Sequence, residues 1–144
     1  MGLRGARRSE ERGKMDKFEA SCLTYFYVIY GKNFNLRDFC GRLGLPYEET
    51  AEFDDEESGL TIGWNSEFDI DINVMVRKSL GGLLYKTKEL VALKEKYGLE
   101  YYLERVPTLI GETEKPRQIL SLAADIVQFL AETGTVDDLD YYIV

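Results

Sequence analysis

The sequence of 144 residues contains no histidine. This absence excludes Ser-His-Asp and Cys-His nucleophile pairs, zinc sites of the HExxH type and an imidazole general base. Cysteine is scarce as well, because Cys22 and Cys40 are the only two. Two cysteines are too few for a metal cluster of their own, so we expect both to be small apolar core residues. An enzyme built on this chain would depend on carboxylates, tyrosines, lysines or cysteines.

Long apolar runs are also missing. No run approaches the roughly 18 to 20 residues that span a bilayer, and the N-terminus lacks the apolar core of a signal peptide. The composition, 44% hydrophobic and 31% charged, is typical of a globular domain. These features predict a cytoplasmic protein without membrane contact.

Positive charge is in deficit, since 18 basic residues stand against 26 acidic ones and the net charge is -8. A negative protein repels phosphate backbones, so we expect no nucleic-acid binding. The same charge favours a basic protein partner. The simpler interpretation, which stays open, is that the charge keeps the protein soluble.

The first residues differ from the rest. Residues 1–16 are basic, contain glycine and lack apolar periodicity, which predicts a disordered tail before a single domain over residues 17–144. Purine-rich codons could encode Ser9 to Lys14, and such codons just before Met15 would suit a ribosome-binding site. The tail would then be the result of an assigned start that lies upstream of the natural one. A basic arm for nucleic acid or membrane is the alternative, and mass spectrometry of the natural N-terminus decides between them.

The region from Cys22 to Pro46 predicts how the domain begins. Both alternating sets of side chains between Cys22 and Tyr30 are largely apolar or aromatic, which is typical of a central strand buried on both faces. Asn35 is a plausible N-cap for the helix that follows, and Gly44 with Pro46 ends it.

The remaining elements alternate between strands and helices. Tyr47 to Gly59 is acidic and reads as a solvated strand and loop, paired with a strand in which Gly63 marks a bulge. Pro107 suggests that the predicted strand from Leu99 to Ile110 bends or is locally unpaired at this residue. The other predicted elements are the strands Leu60 to Phe68, Leu99 to Ile110 and Leu139 to Val144, and the helices Asp69 to Leu84, Lys86 to Tyr97 and a last one that starts at Pro116 and is stopped by Gly134.

This order predicts an α+β fold. We expect a mainly antiparallel sheet of about five strands with three to four helices. The first six elements suit a ferredoxin-like βαββαβ core, extended by a C-terminal helix and strand.

The motifs also resemble a known family. They are the pattern GxxFxLxxFxxxLGLP from Gly31 to Pro46, the pair Gly63-Trp64 in a strand, the helix Leu90 to Tyr97 before Gly98, and a terminal helix that leads into an aspartate-bearing strand. Together they resemble the domain of unknown function 4279 family, from about Phe18 to Val144. The resemblance implies a compact bacterial α+β domain of the kind found in toxin-immunity neighbourhoods, and it assigns no reaction or site residues.

Carboxylates are the first candidates for chemistry. Seven acids lie between Glu48 and Glu57, but they lack the alternating DxDxDG pattern of a calcium loop, so a solvated loop without metal is the expectation. Two carboxylates at a suitable separation would make a glycosidase-type pair, although helix caps and solvated turns are the simpler explanation of these residues: Asp69, Asp71, Asp137, Asp138 and Asp140. We expect no cofactor.

Aromatic residues are the better candidates for binding. The chain has ten tyrosines and one tryptophan, which suit protein interfaces and half-buried sheet positions alike. We expect Trp64, Tyr101 and Tyr142 to line one exposed sheet face beside the acidic loop. The predicted contacts to a basic partner are Trp64, Tyr101, Tyr142, Glu52, Asp54, Asp55 and Glu56.

These observations favour a non-enzymatic protein-interaction module, of the kind that an immunity-type inhibitor uses to cap a basic partner. The alternative is a small-molecule-binding domain or a carboxylate-dependent enzyme, with a pocket between sheet and helices.

Overall fold

The computed structural model of the chain describes residues 20–55, 58–68, 71–109, 121–140 and 142–143. These residues form an α+β fold in which helices pack on one face of a mixed sheet. The strands are β1 (Ala20–Ile29), β2 (Asp54–Asp55), β3 (Gly59–Phe68), β4 (Glu100–Leu109), β5 (Val136–Leu139) and β6 (Tyr142–Ile143). The helices are α1 (Leu36–Leu43), α2 (Tyr47–Ala51), α3 (Ile72–Leu80), a 3-10 helix (Gly81–Tyr85), α4 (Thr87–Tyr97) and α5 (Ala124–Thr133).

The strand order is β2-β3-β1-β4-β5, and β6 also pairs with β4. The pairings among β1, β2, β3 and β4 are antiparallel, which confirms the predicted α+β class and the mainly antiparallel sheet. β5 and β6 run parallel to β4, because the chain returns through α5 before it pairs again.

The predicted count of three to four helices is wrong, since the described residues contain five α-helices. The helix that the sequence did not indicate is α2, within the acidic segment. Pro46, at φ −70, precedes its first turn, where Glu48 and Glu49 lie at the positive end of the helix dipole. The hydroxyl of Thr50 donates to the Pro46 carbonyl at 2.8 Å.

β1 is the central strand between β3 and β4, as predicted, but its two faces differ. One alternating set of side chains is buried beneath the helices: Cys22, Thr24, Phe26 and Val28. The other set is half-buried or exposed: Leu23, Tyr25, Tyr27 and Ile29. The expectation of burial on both faces is therefore wrong, because the helices of the described ranges contribute their buried apolar side chains to a core on one face only.

α1 follows the sequence prediction closely. The Asn35 side chain accepts a hydrogen bond from the Asp38 amide at 2.9 Å, and Gly44 ends the helix at φ 71. Cys40 is buried on this helix, and Cys22 is buried on β1; both are free thiols. Burial raises the pKa of Cys22 to about 11 despite the nearby Arg105, so neither its position nor its pKa suits a nucleophile.

Gly63 forms the bulge that the sequence predicted. The register between β1 and β3 shifts between Thr24 and Phe26, and Gly63 has φ 70. A Cβ atom at this position would lie 1.9 Å from the Ser79 carbonyl oxygen of α3. The hydroxyls of Thr24 and Ser79 lie 2.5 Å apart, so α3 contacts the sheet through small side chains and backbone.

Pro107 does not disturb the pairing of β4 with β1, where it lies opposite Cys22 in an unshifted register. On the other side of β4, β5 pairs as far as Arg105 and β6 pairs from Thr108. Pro107 therefore lies between the segment of β4 that pairs with β5 and the segment that pairs with β6. Neither pairing depends on the amide proton that proline lacks.

No helix within the described ranges has both the length and the apolar character needed to span a bilayer.

Candidate functional site

The sheet face opposite the helices, which we call the open face, contains most of the exposed acidic and aromatic side chains of the strands. Strand register and alternation place the following residues on it: Leu23, Tyr25, Tyr27, Ile29, Asp55, Thr61, Trp64, Ser66, Glu100, Tyr102, Glu104, Val106, Thr108, Val136, Asp138 and Tyr142. This set contains five aromatic and four acidic residues, and no lysine or arginine.

A row of four residues crosses the centre of the open face. Tyr25 of β1 pairs in register with Glu104 of β4, and Glu104 pairs with Asp138 of β5. Trp64 lies in the bulge of β3, across from Tyr25. The row therefore runs from an exposed indole through a phenol to two carboxyl groups.

Glu104 has the most perturbed carboxyl group of this face. Burial raises its pKa to about 7, and a hydrogen bond with Asp138 and the negative charges of Asp138 and Asp140 add to the effect. A hydrogen bond between two carboxyl groups requires a proton on one of them. The pair therefore holds one proton in the folded protein below about pH 7.

The tyrosines of the open face are oriented by neighbouring acids. The Tyr102 hydroxyl donates to the Glu100 carboxylate at 3.0 Å, and the Tyr142 hydroxyl donates to Asp140 at 3.1 Å. Each of these hydrogen bonds raises the pKa of its tyrosine. Burial is the first cause of the raised pKa of Tyr25, followed by the charge of Glu104. The acids thus orient the rings of Tyr102 and Tyr142 and favour their neutral phenols.

The rim of this face is apolar and well exposed. Trp64 is 56% exposed, Tyr142 53% and Val136 51%. Tyr27 instead lies over Gly59, where an added Cβ would be 1.7 Å from its hydroxyl oxygen. The large apolar groups at the rim are thus available for contact, while Tyr27 is held against the sheet.

The structure corrects the predicted grouping of Tyr101 with Trp64 and Tyr142. Tyr101 is only 1% exposed, and its hydroxyl donates to the Leu90 carbonyl at 2.7 Å. Its position opposite Val28 directs it into the core. Trp64 and Tyr142 do share the open face.

The predicted acidic contacts divide into several groups. Glu52 is exposed in the turn after α2. Asp54 accepts a hydrogen bond from the Tyr30 hydroxyl, which also donates to the Asp55 carbonyl at 3.1 Å. These bonds join the residue after β1 to β2, and of the two aspartates only Asp55 lies on the open face. Glu56 lies outside the described residues.

The candidate aspartates have separate partners. Asp71 caps α3 by accepting the Asn73 amide at 2.7 Å, and Asp137 forms an ion pair with Arg105 at 2.7 Å on the buried side of the sheet. Asp138 bonds with Glu104, and Asp140 accepts from Tyr142. Asp69 lies outside the described residues. Within the described ranges, no group of three or more acidic or cysteine side chains is arranged to hold a metal ion.

Glu104 is a site residue that is not among the candidates predicted from the sequence. Its signal is the alternation along β4, where Tyr101, Leu103 and Arg105 are buried and the residues between them are not. A glutamate on the half-buried side of a strand, with an acidic strand beside it, is the pattern that indicates such a pair.

The Glu104–Asp138 pair leads to a prediction about stability and pH. Because folding raises the Glu104 pKa above its ordinary value of 4.5, the folded state binds more protons than the unfolded state between about pH 4.5 and 7. The free energy of unfolding should therefore fall as pH rises through this window. We expect Glu104→Gln to be more stable than wild type at about pH 8 by on the order of 1 kcal/mol after solvent screening, and to differ little at about pH 4.5.

Urea denaturation at both pH values measures this difference. Glu100→Gln is the matched control, since it removes a charge from the same strand and face without touching the pair. Parallel pH profiles for wild type and Glu104→Gln would contradict the prediction.

Comparison of the chain with protein-family models, with curated proteins and with solved structures finds no match, so the open face itself is the basis for a functional assignment.

Proposed function

We propose that the protein is a non-enzymatic interaction module whose open face docks a basic protein partner. The observation that carries the proposal is the composition of that face: five aromatic and four acidic side chains, with no basic residue among those described. An immunity-type inhibitor that caps a basic partner is the class of protein that this surface fits best.

The charges and the aromatic rings have different roles in this docking. Uncompensated carboxylates attract a positive surface over long range and increase the rate of association. Exposed Trp64 and Tyr142 supply the apolar area from which most binding energy comes at protein interfaces. The same negative face repels both a second copy of the chain and a phosphate backbone, which supports a basic protein and not a nucleic acid as the occupant.

We also propose a fold family and a location for the protein. The antiparallel order β2-β3-β1-β4 supports a ferredoxin-like arrangement of these four strands. Membership in the domain of unknown function 4279 family and a cytoplasmic location belong to the same proposal. They rest on the motifs from Gly31 to Pro46 and on the absence of a long apolar run.

The alternative is a carboxylate-dependent enzyme or a small-molecule-binding domain. The observation that favours it is the Glu104–Asp138 pair, because a carboxyl group with a pKa near 7 suits a general acid. The pair lies on a sheet face that no described helix covers, however, and a docking surface fits that setting better than a pocket. A thermal shift with a metabolite, lost in Glu104→Gln, would support the alternative.

Co-purification from the native host tests the docking proposal. We expect the tagged chain to retain a basic protein at low salt, and the combined variant Trp64→Ala and Tyr142→Ala to lose it because the apolar contacts are gone. The matched control is Val127→Ala, which removes an exposed apolar side chain from α5 on the helical side.

Three results would contradict the proposal. The first is that no partner is retained at any salt concentration. The second is an acidic partner. The third is equal retention of the partner by wild type and by the Trp64→Ala, Tyr142→Ala variant.

A further inference from the structure

Glu104 and Asp138 lie in register on the neighbouring parallel strands β4 and β5, and their carboxyl groups share a hydrogen bond. Ionised carboxylates only accept hydrogen bonds, so this contact exists only while one of the two groups is protonated. The pair lies in the central row of the open face, next to Tyr25. Two negative charges are therefore present at the centre of the proposed docking surface only after the pair has released its proton.

We propose that docking of a basic partner on the open face is coupled to the release of the proton that Glu104 and Asp138 share. This inference rests on the proposed docking function and adds its regulation by pH. When a lysine or arginine side chain approaches the face, the positive charge favours the doubly ionised pair, and the proton passes to the solvent. No covalent bond changes.

The surroundings of the pair strengthen this coupling. The groups that face Glu104 are Tyr25 from β1, Tyr102 from its own strand, Asp138 from β5 and Asp140 beyond it. All of them are neutral or negative near pH 7. Arg105 neighbours Glu104 in sequence but lies on the opposite face, in its ion pair with Asp137. Among the described residues of the open face, then, no cation compensates the second negative charge before a partner does.

The sign of the effect follows from the pKa of Glu104, which is about 7 in the free protein. Below that pH the pair is protonated, and a cationic partner must displace the proton in order to bind. Above it the pair is already doubly ionised. Affinity for a basic partner should therefore rise with pH, by about tenfold between about pH 6 and 8 for the release of one proton.

Calorimetric titration with N-acetylated, C-amidated nona-arginine tests the coupling, because this peptide has no group that titrates in the window. At about pH 7, wild type should release about half a proton per bound peptide, seen as a difference in heat between phosphate and Tris buffers. Glu104→Gln should release none, and its affinity should change less than about twofold over the same pH range. Glu95→Gln, an exposed charge removed from α4, should behave like wild type.

The possible results of this experiment distinguish a failure of the proton coupling from a failure of the docking function. If nona-arginine binds and perturbs the amide signals of the open face, but wild type and Glu104→Gln show the same pH dependence, the coupling is overturned and docking stands. If the peptide leaves those signals unchanged, both are overturned. Carboxyl carbon titration by NMR in the free protein is a second check: a Glu104 carboxyl group that titrates near its ordinary value of 4.5 also rules out the coupling.

Discussion

Gly63→Ala is expected to lower the free energy of unfolding by about 3 kcal/mol or more. Two costs combine at this position. A residue other than glycine at φ 70 is strained by about 1 kcal/mol or more, and the new Cβ atom would lie 1.9 Å from the Ser79 carbonyl oxygen. Because that oxygen belongs to the backbone of α3, the clash is relieved only by moving the helix from the sheet, which typically costs about 1 to 3 kcal/mol more.

Gly44→Ala is the matched control for this substitution. Gly44 has nearly the same dihedral angle, φ 71, but an added Cβ there has no atom within 4 Å. We expect it to cost only the conformational strain, about 1 kcal/mol. Urea denaturation followed by circular dichroism measures both, since fluorescence of the neighbouring Trp64 would report local changes. Equal losses for the two variants would show that the close approach of α3 does not matter.

Asp137→Ala should be the second most disruptive substitution, with a loss of about 2 to 4 kcal/mol. The Arg105 side chain is 4% exposed and lies on the core face of β4, where Asp137 holds it by two hydrogen bonds of 2.7 and 2.8 Å. A guanidinium group remains charged at every accessible pH. Removal of the carboxylate therefore takes two hydrogen bonds and a counter-charge from a buried guanidinium group.

The exposed pair of Arg77 and Asp125 provides the comparison. It has the same two-hydrogen-bond geometry, at 2.8 and 2.9 Å, but its side chains are 44% and 59% exposed. We expect Asp125→Ala to cost clearly less than Asp137→Ala, because water screens the exposed charges before and after the change. Denaturation of both variants in the same buffer measures the difference that burial makes. A loss from Asp137→Ala no larger than that from Asp125→Ala would contradict this account.

The local signals in the sequence were sufficient for the elements whose form depends on neighbouring residues. Asn35 and Gly44 mark the two ends of α1, because capping and a left-handed C-terminal residue act within a few positions. Gly63 marked the bulge for a similar reason. The acidic character of Tyr47–Ala51 concealed α2, since the proline and glutamates that begin this helix also suit a loop.

Which face of the sheet is covered could not be predicted from the strands. The alternating residues of β1 are largely aromatic or apolar on both sides, so the pattern does not indicate whether Phe26 or Tyr25 faces the core. The choice depends on where α3 and α4 pack, which is set by contacts distant in sequence. For this reason the sequence predicts Tyr101 beside Trp64, although Tyr101 lies on the buried face.

The candidate site was only partly predictable for the same reason. Trp64, Tyr142 and Asp138 were recognised as candidates, but their grouping required the strand order. Glu104 was missed because the parallel pairing that brings it beside Asp138 joins segments separated by α5. The alternation along β4 marks Glu104 as half-buried, but its raised pKa becomes apparent only when the strand order places Asp138 beside it.

The central place of β1 has a consequence for synthesis of the chain. The ribosome makes this aromatic strand before either of the strands that flank it, which begin at Gly59 and Glu100. The nascent chain therefore carries β1 with both edges unpaired until β3 has emerged, and with one edge unpaired until β4 has emerged. Chains that terminate before Glu100 would leave that edge open to other strands, so premature termination should produce aggregates and not a partly active fragment.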